Sequence, residues 1–338
     1  MDSKTVFLRA DMNSEIATGH VMRCLSIADA ITALGGRCIF ISADENPGEL
    51  VRSKGYDLIS LNTDWKHMEE ETEILLPLLK EYNVASLIID TYQVTAGYMS
   101  AMTKSVHTYY VDDLDLFDYD VNDIICYAVY ADDLYKERNR DKNILAGPGY
   151  TPLRKEFIGC AEKVISESIQ NVLVMSGGTD TYGMIEKIVD KIVASQRKCK
   201  TVAICGRLYE GADLLRDKYH NYENIEIKNS VNNMKDWLEW ADLVITAGGS
   251  TLYEICAVGT PAITFSFADN QYGNVKGFEK RNIMRYAGDA RYDDVAENIN
   301  KLIDEYASGA VRKDLSVKEQ ELVDGKGAER IAKIILND

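Results

Sequence analysis

The polar loop from Arg9 to Thr18 runs into Gly19-His20-Val21-Met22-Arg23-Cys24, which sets a histidine in the first turn of a helix pattern. Glycine there permits a close backbone approach, and the helix macrodipole disfavours an imidazolium at that end. A neutral imidazole can accept a proton, so His20 is a candidate general base. The same spacing fits a helix-start histidine bonded to a neighbouring loop, and spacing alone does not separate the two.

A second candidate is Ala247-Gly248-Gly249-Ser250-Thr251-Leu252-Tyr253-Glu254. Two glycines and two hydroxyls at a strand-to-helix turn expose backbone N–H groups that suit a diphosphate. Glu254 could chelate a ribose diol, but Thr251 to Glu254 also fits the S/T-x-x-E capping box, in which glutamate only closes the helix. Ser176-Gly177-Gly178-Thr179-Asp180 is a similar turn. It lacks the G-x-G-x-x-G spacing of a dinucleotide site and the lysine of a P-loop, which counts against NAD and ATP.

Other polar groups carry less. Asp90-Thr91-Tyr92 ends a strand pattern, with Asp90 and Tyr92 able to face a ligand or Asp90 to cap the next element. Asp112-Asp113-Leu114-Asp115 resembles an acidic metal-binding run, but exposed carboxylates at a strand end are the expectation. His67, His107 and His220 have no companions at metal-ligand spacing. Neither a Ser-His-Asp pattern nor a nucleophile elbow nor a zinc motif is visible.

The elements that must hold these residues alternate from the start. Short β-branched runs at 5–8, 37–41, 86–89, 108–111 and 123–126 alternate with helical patterns, the signature of parallel βα units. Val21, Cys24, Leu25, Ala28 and Ile31 recur at helical spacing, and Gly35-Gly36 supplies the stop. The rhythm pauses at Gly147-Pro148-Gly149 and Pro152, then resumes in runs at 171–175, 201–205 and 243–246, each closed by glycine. A helix pattern over 325–336 ends the chain. The expected architecture is α/β, with two Rossmann-like doubly wound domains facing an interdomain cleft: residues 1–149, a linker over 150–170, and 171–338. Ligands bind at the carboxyl edges of such sheets.

Composition narrows the partners. The 338 residues are 46% hydrophobic and 27% charged, which excludes disordered and collagenous classes. Thirty-eight Lys and Arg against 54 Asp and Glu leave a net charge of −16, without a basic cluster, and this excludes a nucleic-acid partner. Seven cysteines without a C-x-x-C pair point to free thiols in a reducing compartment. The first residues lack the pattern of a signal peptide, and no apolar run approaches about 18 residues, so a cytoplasmic protein without stable membrane association is expected.

Taken in order, the Arg9-Ala10-Asp11 loop with Gly19-His20-Val21-Met22-Arg23-Cys24, Ile89 to Tyr92, Val111-Asp112-Asp113, Gly149-Tyr150-Thr151-Pro152-Leu153-Arg154-Lys155-Glu156-Phe157, Ser176 to Asp180, Gly248-Gly249-Ser250 with Glu254, and Asn270-Gln271 resemble a known family. It is the UDP-2,4-diacetamido-2,4,6-trideoxy-β-L-altropyranose hydrolases of pseudaminic acid biosynthesis (the PseG type), related to spore-coat proteins of the SpsG type. The resemblance spans most of the chain. That family is similar to the glycosyltransferase MurG, with GT-B architecture, a last helix that often packs back across the linker, and no metal or other cofactor.

What the resemblance implies is hydrolysis of a UDP-linked sugar at its anomeric carbon with inversion. His20 falls at the position of the catalytic base, Tyr92 beside the reacting sugar, and Asp11 and Arg23 where they orient that site. Gly249, Ser250 and Thr251 would hold the diphosphate, Glu254 the ribose, and Asn270 and Gln271 the sugar or phosphate. Gly19, Tyr150, Arg154, Gly177 and Gly178 complete the implied substrate-binding set. Thr91 departs from the pattern, because some members carry histidine before the tyrosine. The competing reading is a GT-B glycosyltransferase that passes the sugar of a UDP-sugar to an alcohol, since water and an acceptor hydroxyl meet the same chemical demand.

Overall fold

The computed structural model describes residues 3–337 apart from 14, 17, 207 and 208; Ser14 and Ala17 of the His20 loop therefore lie outside the described residues. The chain divides into two compact units, 1–155 together with 325–338, and 156–324. The stretch expected as a linker is thus shared, with 150–155 in the first unit and 156–170 in the second.

The first unit is built on β1 (Thr5–Ala10), β2 (Arg37–Ser42), β3 (Asp57–Ser60), β4 (Val84–Asp90), β5 (His107–Val111), β6 (Asp123–Cys126) and β7 (Asn143–Ala146). Their order in the sheet is β3-β2-β1-β4-β5-β6-β7, with every pairing parallel. All six residues of β1 are buried, as are the last five of β4. Strands covered on both faces by helices read as continuous apolar runs, which is why these were legible in the sequence.

Helix α1 (Gly19–Ala33) follows β1 and buries Val21, Cys24, Leu25, Ala28 and Ile31 against the sheet. Gly35, at φ +91°, takes the left-handed conformation that ends it. The closing helix Gly327–Asn337 puts Ile331 and Ile335 into the same core as α1. This helix is part of the first unit. Its start is possible only with glycine, because a Cβ at Gly327 would stand 2.2 Å from the Thr151 carbonyl oxygen.

The second unit repeats the plan with β8 (Asn171–Met175), β9 (Lys200–Cys205), β10 (Ile225–Asn229), β11 (Leu243–Ala247), β12 (Ala262–Ser266) and β13 (Arg285–Asp289). The order is β10-β9-β8-β11-β12-β13, again all parallel. In each unit the chain winds outward from one central strand, then crosses back to its other side. The reversals lie between β1 and β4 and between β8 and β11. At such switch points the loops leaving adjacent carboxyl ends diverge and open a crevice. The His20 loop and Asp90 flank the first switch point; the Ser176-Gly177-Gly178 and Gly248-Gly249-Ser250 turns flank the second.

Candidate active site

The register between β1 and β4 pairs Ala10 with Asp90, so Asp90 ends its strand beside the loop that leads to α1. His20 and Arg23, three residues apart, share one face of α1. Both reach Asp90. His20 Nδ1 lies 2.6 Å from Asp90 Oδ1, and Arg23 spans the carboxylate, its Nε donating to Oδ2 and an Nη2 to Oδ1. Arg23 Nη1 donates to the Tyr127 hydroxyl at 2.9 Å.

Asp90 is wholly buried. Burial alone would raise its carboxyl, but the charges of Arg23 and His20 and their hydrogen bonds outweigh this and hold it well below the ordinary carboxylate range. An ionised Asp90 accepts the Nδ1 proton of His20. The free tautomer then carries a lone pair on Nε2, the arrangement a general base needs. Arg23 completes the balance of a buried carboxylate that His20 alone would leave uncompensated.

Tyr92, two residues past Asp90, meets the His20 ring edge to face, with centroids 5.1 Å apart and planes at 84°. Its hydroxyl donates to Asp113 Oδ1 at 2.9 Å. His20, Asp90 and Tyr92, with Ile16, Trp65, Thr91 and Gln93, line a recess of about 20 Å³. That volume matches one water molecule. Among the described residues no group of three or more His, Cys, Asp or Glu is gathered to hold a metal ion.

Asp11, which the resemblance puts among the residues that orient the site, makes its contacts with other groups. One carboxylate oxygen accepts the Ala43 N–H at 2.8 Å and the other lies 2.6 Å from Arg9 Nη1. Arg9 is itself wholly buried and is paired with the equally buried Glu71. Asp11 therefore ties β1 to the chain after β2 and helps neutralise a buried guanidinium, and neither of these contacts is to His20.

The expected exposure of the 112–115 run is corrected. Asp112 and Asp115 are buried. Asp112 accepts the N–H groups of Leu114 and Asp115 and the hydroxyls of Tyr119 and Tyr135, making it the hub of a turn. Only such a set of donors makes a buried carboxylate affordable in free energy. Asp113 alone of the run turns to Tyr92. His107 bonds to Asp123 at 2.5 Å, at the opposite end of the strands.

In the second unit the glycine turns are crowded where the backbone must approach. A Cβ at Gly206 would lie 2.2 Å from the Gly177 carbonyl oxygen, and one at Gly248 would lie 2.4 Å from Val275 Cγ1. Gly249, between Gly248 and the exposed Ser250, faces open space. Gly177 and Gly178 are exposed as well.

The helix Thr251–Val258 takes Ser250 as its cap residue and has no side-chain cap bond. Ser250 and not Thr251 thus holds the cap position, and Glu254 sits half-buried in the first turn. Asp180 caps the helix Met184–Ala194 instead, accepting the N–H groups of Met184 and Ile185. Asn270 is exposed at the start of the helix Asp269–Lys280, while Gln271 Oε1 accepts the Phe267 N–H at 2.9 Å.

Tyr150 is half-buried in a short turn over Pro148–Tyr150 and packs on the core of the first unit; Arg154 is half-buried a few residues on. The structure thus brings His20, Arg23 and Tyr92 together and keeps Asp11 apart from their contacts. Sequence reasoning left Asp90 as an either-or and missed Asp113 and Tyr127. The signal for Asp90 was an acidic residue closing three apolar ones, Leu87-Ile88-Ile89, opposite a basic residue one helical turn after His20.

Residues 171–327 match the model of the glycosyltransferase family 28 C-terminal domain. Over 339 residues the chain is 22% identical to the spore coat polysaccharide biosynthesis protein SpsG of Bacillus subtilis, covering 96% of each. It is 22% identical over 267 residues to an uncharacterised protein of Methanocaldococcus jannaschii, covering 75% of this chain and 54% of that one. It is 28% identical over 207 residues to the UDP-N-acetylglucosamine–N-acetylmuramyl-(pentapeptide) pyrophosphoryl-undecaprenol N-acetylglucosamine transferase of Sulfurihydrogenibium, covering 59% and 56%. The chain thus spans about half the length of two of these three relatives. Among solved structures it superposes on MurG of Acinetobacter baumannii with a TM-score of 0.74 at 13% identity, covering 99% of this chain and 100% of that one. No helix among the described residues is long and apolar enough to cross a membrane. The chain thus has the two-domain α/β fold of the GT-B class, and its residues 171–327 are similar to the glycosyltransferase family 28 C-terminal domain.

Proposed function

We propose that the protein catalyses inverting displacement at the anomeric carbon of a UDP-sugar, with His20 as the base. The observation that carries this is the His20–Asp90–Arg23 cluster at the carboxyl edge of β4. His20 Nε2 takes the proton of an attacking O–H group, its oxygen bonds to the anomeric carbon, and the bond from that carbon to the UDP oxygen breaks with its electron pair on UDP. Asp90 stabilises the imidazolium that forms. In the second unit, the open turn at Gly249 and the N–H groups of Ser250 and Thr251 hold the diphosphate and meet its growing charge, with Glu254 on the ribose. Gly177, Gly178, Asn270 and Gln271 are further candidates for contact with the substrate, as are Gly19, Tyr150 and Arg154 of the first unit.

The nature of the O–H group divides two readings. The names of the relatives favour an alcohol acceptor, and so a glycosyltransferase using a UDP-sugar donor. Hydrolysis of a UDP-2,4-diacetamido-2,4,6-trideoxy sugar is the second reading. It is favoured by the water-sized recess beside His20 and by the ordered motifs that resemble the hydrolase family. Proton NMR of the protein with this UDP-sugar and with UDP-N-acetylglucosamine, with and without alcohol acceptors, separates them. UDP release that waits for an acceptor supports transfer. Release of free sugar of inverted configuration without one supports hydrolysis, and intact substrates under every condition contradict both.

A further inference from the structure

Tyr92 has a single hydroxyl proton, and that proton is committed to Asp113 Oδ1 at 2.9 Å. Burial, and after it the Asp113 charge, push the phenol well above its ordinary pKa, so Tyr92 stays protonated at any working pH. Its oxygen is left with acceptor capacity only. The ring is held edge-on against His20 and lines the same recess, although Tyr92 remains 36% exposed. Asp113 is fixed in turn by its place in the turn that Asp112 organises, where its own carbonyl accepts the Tyr130 hydroxyl at 3.2 Å.

We infer that Asp113 is a positioning residue that locks Tyr92 as a hydrogen-bond acceptor, so that the site selects a sugar presenting an N–H or O–H donor beside the reacting carbon. The inference rests on the proposed UDP-sugar chemistry at His20 and deepens it. A tyrosine with a free hydroxyl adapts to either kind of partner by rotating its proton. One whose proton is already spent rejects a group that can only accept, because two acceptors would then face each other. Amide-bearing sugars supply such a donor.

The test pairs a UDP-diacetamido sugar with its N-methylamide counterpart, which keeps both carbonyls and loses both donors. Wild type should prefer the parent by about tenfold or more in kcat/KM, the value of one hydrogen bond with an unpaired alternative. Asp113→Ala should cut that preference to within about twofold, largely through KM. Tyr92→Phe should do the same, and adding Asp113→Ala to Tyr92→Phe should change nothing further. A merely structural Asp113 would lower the rate in both backgrounds alike, and an undiminished preference in Asp113→Ala overturns the inference.

A second readout does not depend on turnover. With ¹³Cζ-labelled tyrosine, the resonance missing in Tyr92→Phe should move in Asp113→Ala. If neither UDP-sugar is turned over, the UDP-sugar reading fails and this resonance alone decides: a shift supports the lock, and an unmoved peak refutes it.

Discussion

His20 Nδ1 stands 2.6 Å from Asp90 Oδ1, and this carboxylate has no exposed surface. The pair joins the first turn of α1 to the last residue of β4, on the two sides of the switch point in the first unit. Because Arg23 takes up the rest of the carboxylate, Asp90 remains charged throughout the physiological range. Asp90→Asn removes the charge that stabilises an imidazolium, and turnover should fall at least 10²-fold with UDP affinity retained. It also leaves the half-buried Arg23 without its carboxylate partner, so the melting temperature should fall too. Thermal melts beside kinetics distinguish the two effects, and a full rate in Asp90→Asn would remove the dyad from the mechanism.

Gly249 separates stability from binding. A Cβ there meets nothing within 4 Å, so Gly249→Ala should leave the melting temperature nearly unchanged. If a diphosphate lies over this turn, the added methyl obstructs it, and calorimetry should show UDP affinity lower by about tenfold or more. Unaltered affinity would take the diphosphate away from this turn. Gly206→Ala is the contrasting case, because its Cβ would strike the Gly177 backbone, and it should lose stability as well.

Asp11 answers to a different expectation. Its partners are Arg9 and the Ala43 N–H, both structural. Asp11→Asn should destabilise the first unit by about 3 kcal/mol, the scale for breaking a buried ion pair, measured by urea unfolding. At temperatures where the variant is folded, its kcat should stay within a few-fold of wild type. A loss like that of Asp90→Asn, without loss of stability, would return Asp11 to the catalytic group.

Glu319 makes stability depend on pH. It is fully buried in the helix Gly309–Leu322, neither carboxylate oxygen has a hydrogen-bond partner, and burial, opposed by Lys163, raises its pKa well above the usual carboxyl value. A pKa raised on folding contributes stability that is complete below the unfolded value, about 4.3, and is lost as pH climbs toward the folded value. Glu319→Gln keeps the shape without the titration. Its unfolding free energy should exceed that of wild type, with a gap that widens from pH 5 to pH 8 by up to about 1.4 kcal/mol per pH unit. A gap independent of pH would show that Glu319 does not hold its proton there.

Legibility in the sequence followed burial for most strands, although β12, buried at every residue, went unread. β1, β4, β8 and β11 sit in the sheet interiors, and their apolar runs reveal both strands and the loops after them. The edge strands did not show: β3 carries Asp57 and Ser60, and β13 carries Arg285, Gly288 and Asp289, because an edge is covered less completely. His20 was legible as a residue type in a special position. Its partner was less so, since Asp90 lies 70 positions away and only the β1–β4 register joins them. Asp112 and Asp115 misled for the same reason, because the tyrosine hydroxyls and backbone donors that let them be buried are supplied by the folded chain.

The most direct test of the central claim is single-turnover NMR of UDP release by wild type and His20→Ala, with UDP affinity of both measured by calorimetry. The account predicts release by wild type with inversion at the anomeric carbon, a 10²–10⁴-fold slower rate in His20→Ala, and nearly equal affinities for UDP. Equal rates in the two proteins, or retention of the anomeric configuration, would contradict it.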